Sequence, residues 1–172
     1  MDAYLERALQ SLEDATRGIT TDELVRHKPG KWSTTEILEH LSRAYSSTSK
    51  LLQRHLDAGK PSTDEATANE RKMTATVIEG EHFPPGAQAP EFTLPKGVAP
   101  EAAMPRVRET ITAMDEMIAK CEKAFGEQAA IAKHAIFGPL TARQWRKFHW
   151  VHTAHHAKQI EALRRDAAAT GR

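Results

Sequence analysis

Apolar residues recur at every third or fourth position in four long stretches of this chain. The first runs from about Asp2 to Arg17, where Tyr4, Leu5, Ala8, Leu9, Leu12 and Ala15 form one stripe. The second opens at Ser33, whose spacing to Glu36 is that of a capping box. It carries Ile37, Leu41, Ala44, Thr48 and Leu51 toward about Leu56. The third spans Pro100 to Ala124, with Val107, Ile111, Met114, Ile118 and Cys121 on one face and Gly126 beyond its end. The fourth is capped by Thr141 and Gln144, extends to about Ala168, and turns Trp145, Phe148, Ile160 and Leu163 inward. Such spacing marks an amphipathic helix, because about 3.6 residues complete one turn.

The segments between are less regular. Thr20 to Glu23 offers a capping box for one short turn before Pro29-Gly30 breaks the chain, and Ser62 to Glu65 offers another for a shorter helix reaching about Ile78. No strand alternation is legible apart from extended residues in PEFTLPK. Residues 80–100, GEHFPPGAQAPEFTLPKGVAP, hold five prolines and three glycines. Loops of this length in compact domains are uncommon and tend to be functional or mobile. Two readings stand for it: a crossover draped over the helices, and a lid over a site. The pattern as a whole predicts one all-α domain over residues 1–172. Its architecture would be an antiparallel four-helix bundle with a long crossover loop and a short extra helix.

Composition narrows the function classes. Lys and Arg total 24 against 23 Asp and Glu, a net charge of +1, which gives no field to recruit nucleic acid or anionic lipid. The basic groups Arg143, Arg146, Lys147 and Lys158, Arg164, Arg165 read as solvated helix faces. No apolar run approaches a membrane span, and the acid-bearing start MDAYLERALQSLEDA reads as a helix, not a signal or transit peptide. Cys121 is the single cysteine, which excludes an internal disulfide and suits a reducing, cytoplasmic setting. Nor is there a phosphate-cradling glycine loop, a dinucleotide fingerprint or a serine-nucleophile elbow.

The chemistry concentrates in HWVHTAHHAKQI, residues 149–160, which holds four of the nine histidines. At 100° per residue, His149, His152 and His156 fall within about 60° of one another and share their sector with Trp145, Ile160 and Leu163. His155 points to the flank, as a surface or interface residue. Two histidines four apart can grip one ion, and three apart also works. His149 and His156 are about 10 Å apart along the axis, too far to share one. The pairs open are therefore His152 with His156 and, less ideally, His152 with His149. His40, on the edge of the second stripe, is the candidate third ligand; His55 lies about 22 Å further along and is an end-of-bundle residue. His27 and His82 read as loop residues, and His134 as a loop residue able to approach the site. Three inward imidazoles would each need a buried partner, whereas one divalent cation satisfies them together.

WSTTEILEHL, residues 32–41, resembles the opening of the second helix in DinB/YfiT-like proteins. HTAHHAKQI, residues 152–160, is similar to the H-x-x-x-H and following Gln of their last long helix, and FGPLTARQW, residues 137–145, resembles the lead-in of an uncharacterised branch. The resemblance implies a metal-binding four-helix bundle, often dimeric, with His40, His152 and His156 as ligands to a nickel, zinc or iron-type divalent ion. His149 departs from that pattern and stays open, as a fourth ligand or as a polar group lining the cavity. Three neutral ligands and an open position form the catalytic arrangement, favouring an ionised water or a substrate thiolate. The expected function is thus a metal-dependent hydrolase or thiol S-transferase acting on a small molecule. The alternative is a non-enzymatic, structural or stress-related metal-binding bundle. Glu36 and Gln159 are candidates to orient ligand rings, Tyr45 and Trp145 read as packing, and no inward carboxylate presents itself as a general base. Ligand histidines must be neutral, so metal binding is expected to fade below about pH 6.

Overall fold

The computed structural model describes residues 1–84, 86 and 88–170, with the side chains of 167–170 excepted. Pro85 and Ala87, within the proline-rich segment, lie outside the described residues, as do the last two positions of the expected domain. The described residues are mostly helical. In order they form α1 (Ala3–Thr16), α2 (Thr21–Val25), α3 (Thr34–Asp57), α4 (Ala68–Met73), α5 (Pro100–Phe125), strands β1 (Ala130–His134) and β2 (Gly138–Thr141), and α6 (Ala142–Thr170). A π-helical turn, Thr74–Glu79, continues α4, and a 3-10 turn, Glu91–Thr93, interrupts the proline-rich segment.

The predicted caps set the helix registers. Ser33 and Glu36 bond reciprocally at the start of α3, as do Thr20 and Glu23 at α2. At α6, Gln144 Oε1 accepts the Thr141 backbone N–H (3.0 Å) while Thr141 Oγ1 accepts that of Gln144 (3.3 Å). The box at Ser62 does not form. Thr67 and Glu70 cap α4 instead, because Ser62 is drawn to β1, its N–H donating to Ala130 O at 2.9 Å.

Strand content and helix direction both need correction. A two-stranded antiparallel hairpin, with Ala132 opposite Leu140 and His134 opposite Gly138, lies where no strand was read. Its strands are too short to alternate visibly, and the turn is held by a side chain: His134 Nδ1 accepts the N–H of Ile136 at 3.0 Å and of Phe137 at 3.4 Å. Gly138 closes the turn at φ 75°, where a Cβ would also meet the Glu70 carboxylate 3.0 Å away. PEFTLPK, conversely, holds the 3-10 turn and no strand.

The second correction concerns helix direction. α3 packs chiefly along α5, and α1 along α6. Arg146 of α6 meets Asp2 at the start of α1, and Arg164 donates to Ala15 O and Arg17 O at its end, so these two helices run parallel. Glu39 reaches the start of α5 and the Leu52 carbonyl meets Cys121 near its end, so α3 and α5 are parallel too. The long connection through residues 58–99 returns the chain to the end where α3 began, and that permits it. α3 and α6 do run antiparallel, since Thr48 meets His149 while His40 meets His152.

All four long helices feed one apolar core that includes Leu5, Leu12, Leu38, Leu41, Leu52, Val107, Ile111, Met114, Ile118 and Ile160. Cys121 belongs to it, and burial raises its thiol to a pKa of about 11, an inert form. Arg146 is not the solvated residue expected. It is 9% exposed and binds Asp115 (3.2 Å) and Glu122 (2.7 Å), tying α6 to α5. Among the described residues no helix is long and apolar enough to cross a membrane.

Candidate metal centre

α3 and α6 face each other across a cavity of about 1180 Å³ instead of packing tightly along their length. His40 stands in the second turn of α3, in the register fixed by the Ser33 cap. His152 and His156 stand one turn apart in the middle of α6. The three rings converge and are buried: one nitrogen of each lies within 4.8 Å of the others. Nε2 of His152 is 3.1 Å from Nε2 of His40 and 3.1 Å from Nε2 of His156.

Their outer nitrogens fix which atom carries the proton. His40 Nδ1 lies 3.1 Å from the Thr93 carbonyl, and His156 Nδ1 lies 2.8 Å from Gln159 Oε1. Both oxygens only accept, so both Nδ1 atoms are protonated and both Nε2 atoms present lone pairs toward His152. His152 has one ring proton and cannot satisfy two lone pairs, while its own Nδ1 is buried with no partner among the described residues. A cation shared by the three Nε2 atoms resolves this arrangement. Two imidazole nitrogens on one ion at about 2.0–2.1 Å stand about 2.9 Å apart at a right angle and about 3.4 Å apart at the tetrahedral angle. The observed 3.1 Å falls between these limits. A ligand ring whose second N–H is held by a carbonyl oxygen is also the usual support of a metal-binding histidine. The residues present fit a divalent metal.

Electrostatics keep the rings neutral, as ligation requires. Burial drives His156 down to about pKa 3, helped by the neighbouring His40 and opposed by Gln159. Burial, with the adjacent imidazoles, holds His152 well below the ordinary imidazole range, and His40 is lowered by burial against the pull of Thr93.

Described residues of the 80–100 segment cover the cluster. The Phe83 ring stacks on His152 (5.6 Å between centroids) and His155 (4.9 Å), and Arg43 holds the Phe92 carbonyl at 2.8 Å. Glu39, 5% exposed, accepts the backbone N–H groups of Lys96 (2.9 Å), Gly97 (2.9 Å) and Val98 (3.0 Å). Burial alone would raise its pKa, but the three N–H bonds outweigh it and hold the carboxylate ionised. Glu39 and Thr93 were not singled out from the sequence. The histidine next to Glu39 was the only local signal, and nothing local tells which loop a buried carboxylate will grip. Trp32 shields the other side, its ring 5.0 Å from His40.

Residues 5–162 match the model of a family described as Protein of unknown function (DUF1569). The chain belongs to the DUF1569 family. No curated protein and no solved structure matches it. The family description carries no activity, and the chemistry open to this DUF1569 chain is set by the residues of its site.

The remaining candidates sort clearly. His149 is no part of the cluster: its Nε2 is 3.0 Å from Thr48 Oγ1, and burial lowers it to about pKa 3. Of its two open readings, the structure places it as a polar group lining the cavity. His155 is half-buried and bonded to Gln159 Nε2 at 3.0 Å. His134 is a strand residue on the cavity wall, lowered by burial to about pKa 4. His55 binds the Lys60 carbonyl at the end of α3, and His27 lies 3.4 Å from Glu36. Gln159 Oε1 holds the outer nitrogen of the candidate ligand His156. Glu36 holds no such nitrogen, because its carboxylate holds the Ser33 N–H at 2.8 Å and Thr93 has taken the outer nitrogen of His40. Tyr45 is fully buried against Thr153 at 2.6 Å and its pKa is raised by burial, so its hydroxyl stays protonated.

Proposed function

We propose that His40, His152 and His156 hold a divalent ion of the nickel, zinc or iron type and that the protein is a metal-dependent enzyme acting on a small molecule. One observation carries this reading: two imidazole lone pairs, each fixed by an outer hydrogen bond, face a third buried ring that cannot satisfy both. A divalent ion bound there would supply Lewis acidity and make a water or small thiol more acidic, as hydrolysis or thiol transfer needs. The chain's own part is to orient and enclose. Thr93 and Gln159 keep the outer nitrogens protonated, Phe83 and Trp32 exclude bulk water, and the open cavity beside the rings admits a substrate. The donor set holds no protein anion, which leaves room for an anionic substrate atom. The same reading takes the four long helices as a DinB/YfiT-like four-helix bundle and the protein as a cytoplasmic homodimer.

A specific observation favours the rival, a non-enzymatic metal-binding bundle. Glu39 is spent on the backbone, and Asp166, the only carboxylate on the described cavity wall, stands about 15 Å along α6 from His156. Elemental analysis of untagged protein, paired with His40→Ala, separates the two. Near-stoichiometric metal that the variant loses while its helical circular dichroism persists supports an open functional site. Metal whose removal unfolds the protein supports the structural role. Metal-free protein of unchanged stability in both forms contradicts both.

A further inference from the structure

Four apolar side chains stand on the cavity wall at the histidine cluster, and all of them keep exposed surface. Trp32 and Phe83 are half-buried, with ring centroids 5.0 Å from that of His40 and 5.6 Å from that of His152. Phe92 is 60% exposed and Leu94 is 39% exposed, and both line the cavity that the three histidines share. They are the immediate neighbours of Thr93, whose carbonyl holds His40, so their Cα atoms lie about 3.8 Å from its own.

The backbone beneath Phe92 and Leu94 is tied at each step. Thr93 donates its N–H (2.9 Å) and its hydroxyl (2.8 Å) to the Pro90 carbonyl, and the Leu94 N–H donates to Glu91 O at 3.1 Å. Arg43 donates to the Phe92 carbonyl, His40 to that of Thr93, and Glu39 accepts the N–H groups of residues 96–98 just beyond. A segment held in this way cannot turn its apolar side chains inward. Water against them costs free energy that an apolar ligand recovers, and the fixed backbone spares that ligand the cost of ordering the wall.

Size and charge narrow the occupant. The cavity of about 1180 Å³ has room for a small molecule with a substantial body. Its described wall carries Lys28, Lys31, Lys50, Arg54 and Lys133 against the single carboxylate of Asp166, and the three clustered imidazoles add no anion. A molecule with an ionisable group matches that balance.

We propose that the substrate is an amphipathic small molecule whose ionisable reacting group lies at the three-histidine cluster and whose apolar body packs on Phe92 and Leu94. These two side chains would then select substrates by the size of the apolar body. The position of the reacting group rests on the metal-site reading above; the contact with Phe92 and Leu94 is a separate claim and fails separately.

The test uses the full-length protein loaded with zinc and titrated by calorimetry with acetohydroxamate and with octanohydroxamate. The two share a metal-binding head and differ only in the length of the apolar tail. Each methylene taken out of water is worth about a fourfold gain, so octanohydroxamate is expected to bind at least about tenfold more tightly. Phe92→Ala/Leu94→Ala, at two exposed positions, should reduce that ratio to less than about threefold. The milder Phe92→Leu should lower it in the same direction, and a zinc titration of each variant reports that the cluster is intact. Equal binding of the two hydroxamates, or a ratio that the double variant leaves in place, would overturn the apolar subsite and leave the metal site standing. A dimer in sedimentation that the double variant dissociates would assign Phe92 and Leu94 to a second copy of the chain and overturn it as well. Zinc that does not bind, or that binds His40→Ala as it binds the wild type, would remove the position of the reacting group and overturn both readings.

Discussion

Glu39→Gln is the perturbation that should reveal how the loop over the site is held. The native carboxylate accepts three backbone N–H bonds within 3.0 Å, from Lys96, Gly97 and Val98, in a position only 5% exposed. An amide of the same shape keeps one accepting oxygen and turns an NH2 toward groups that can only donate. At least one charge-assisted bond is lost and one buried donor is left unpaired, which together cost about 2–4 kcal/mol. The effect should also reach the histidines. Residues 96–98 anchor the segment whose Thr93 carbonyl orients His40, so metal affinity should fall about 10–100-fold. Urea unfolding of both proteins at pH 7 measures the first effect and isothermal titration with zinc the second. The sign with pH is fixed by the lowered carboxyl pKa: the stabilisation is present above the ordinary glutamate value of 4.5 and is lost as pH falls through the lower folded value. The gap between wild type and variant should therefore close as pH falls from the ordinary glutamate range through the lowered folded value. A variant within about 0.5 kcal/mol of wild type at pH 7 would refute the reasoning.

Further predictions concern the rings and the buried ion pairs. Gln159→Leu removes the acceptor on His156 Nδ1, and zinc affinity should drop about 10–100-fold while helical content is retained; unchanged affinity counts against the assigned tautomer. Metal-free protein should lose stability as pH falls from about 6.5, because unfolded histidines take up protons there while buried His149 and His156 stay neutral to about pH 3. At pH 5 the loss is about 2–4 kcal/mol, read as a lowered urea midpoint, and a flat profile from pH 7 to 5 disagrees with their burial. Arg146→Ala strands Asp115 and Glu122 in a partly buried setting and should cost about 3–5 kcal/mol in the same assay. A cost under about 1 kcal/mol would mean the network is solvated.

Much of the helical frame and of the convergence of His40, His152 and His156 was legible because both rest largely on short-range rules. The Ser33–Glu36 and Thr141–Gln144 caps set the registers of α3 and α6, and the spacing of His152 and His156 then puts both rings on one face. What stayed hidden depends on contacts distant in sequence. His149 shares the inward sector with His152, and only the approach of Thr48 from α3 decides that it leaves the cluster. The β-hairpin is stabilised by a histidine side chain and by Ser62 pairing to Ala130, neither of which leaves a periodic trace. Helix direction likewise depends on where the 58–99 connection ends, which the Glu39 carboxylate decides. Arg146 looks like any solvated basic residue until Asp115 and Glu122 of α5 are brought beside it.

The most direct test of the central claim is an anomalous-scattering map, recorded at the absorption edge of whichever metal co-purifies with the untagged protein. The account predicts one peak bonded to the Nε2 atoms of His40, His152 and His156 at about 2.0–2.2 Å, with at least one coordination position open to the cavity. No peak among these rings, or an ion whose every ligand is a protein side chain, would contradict it.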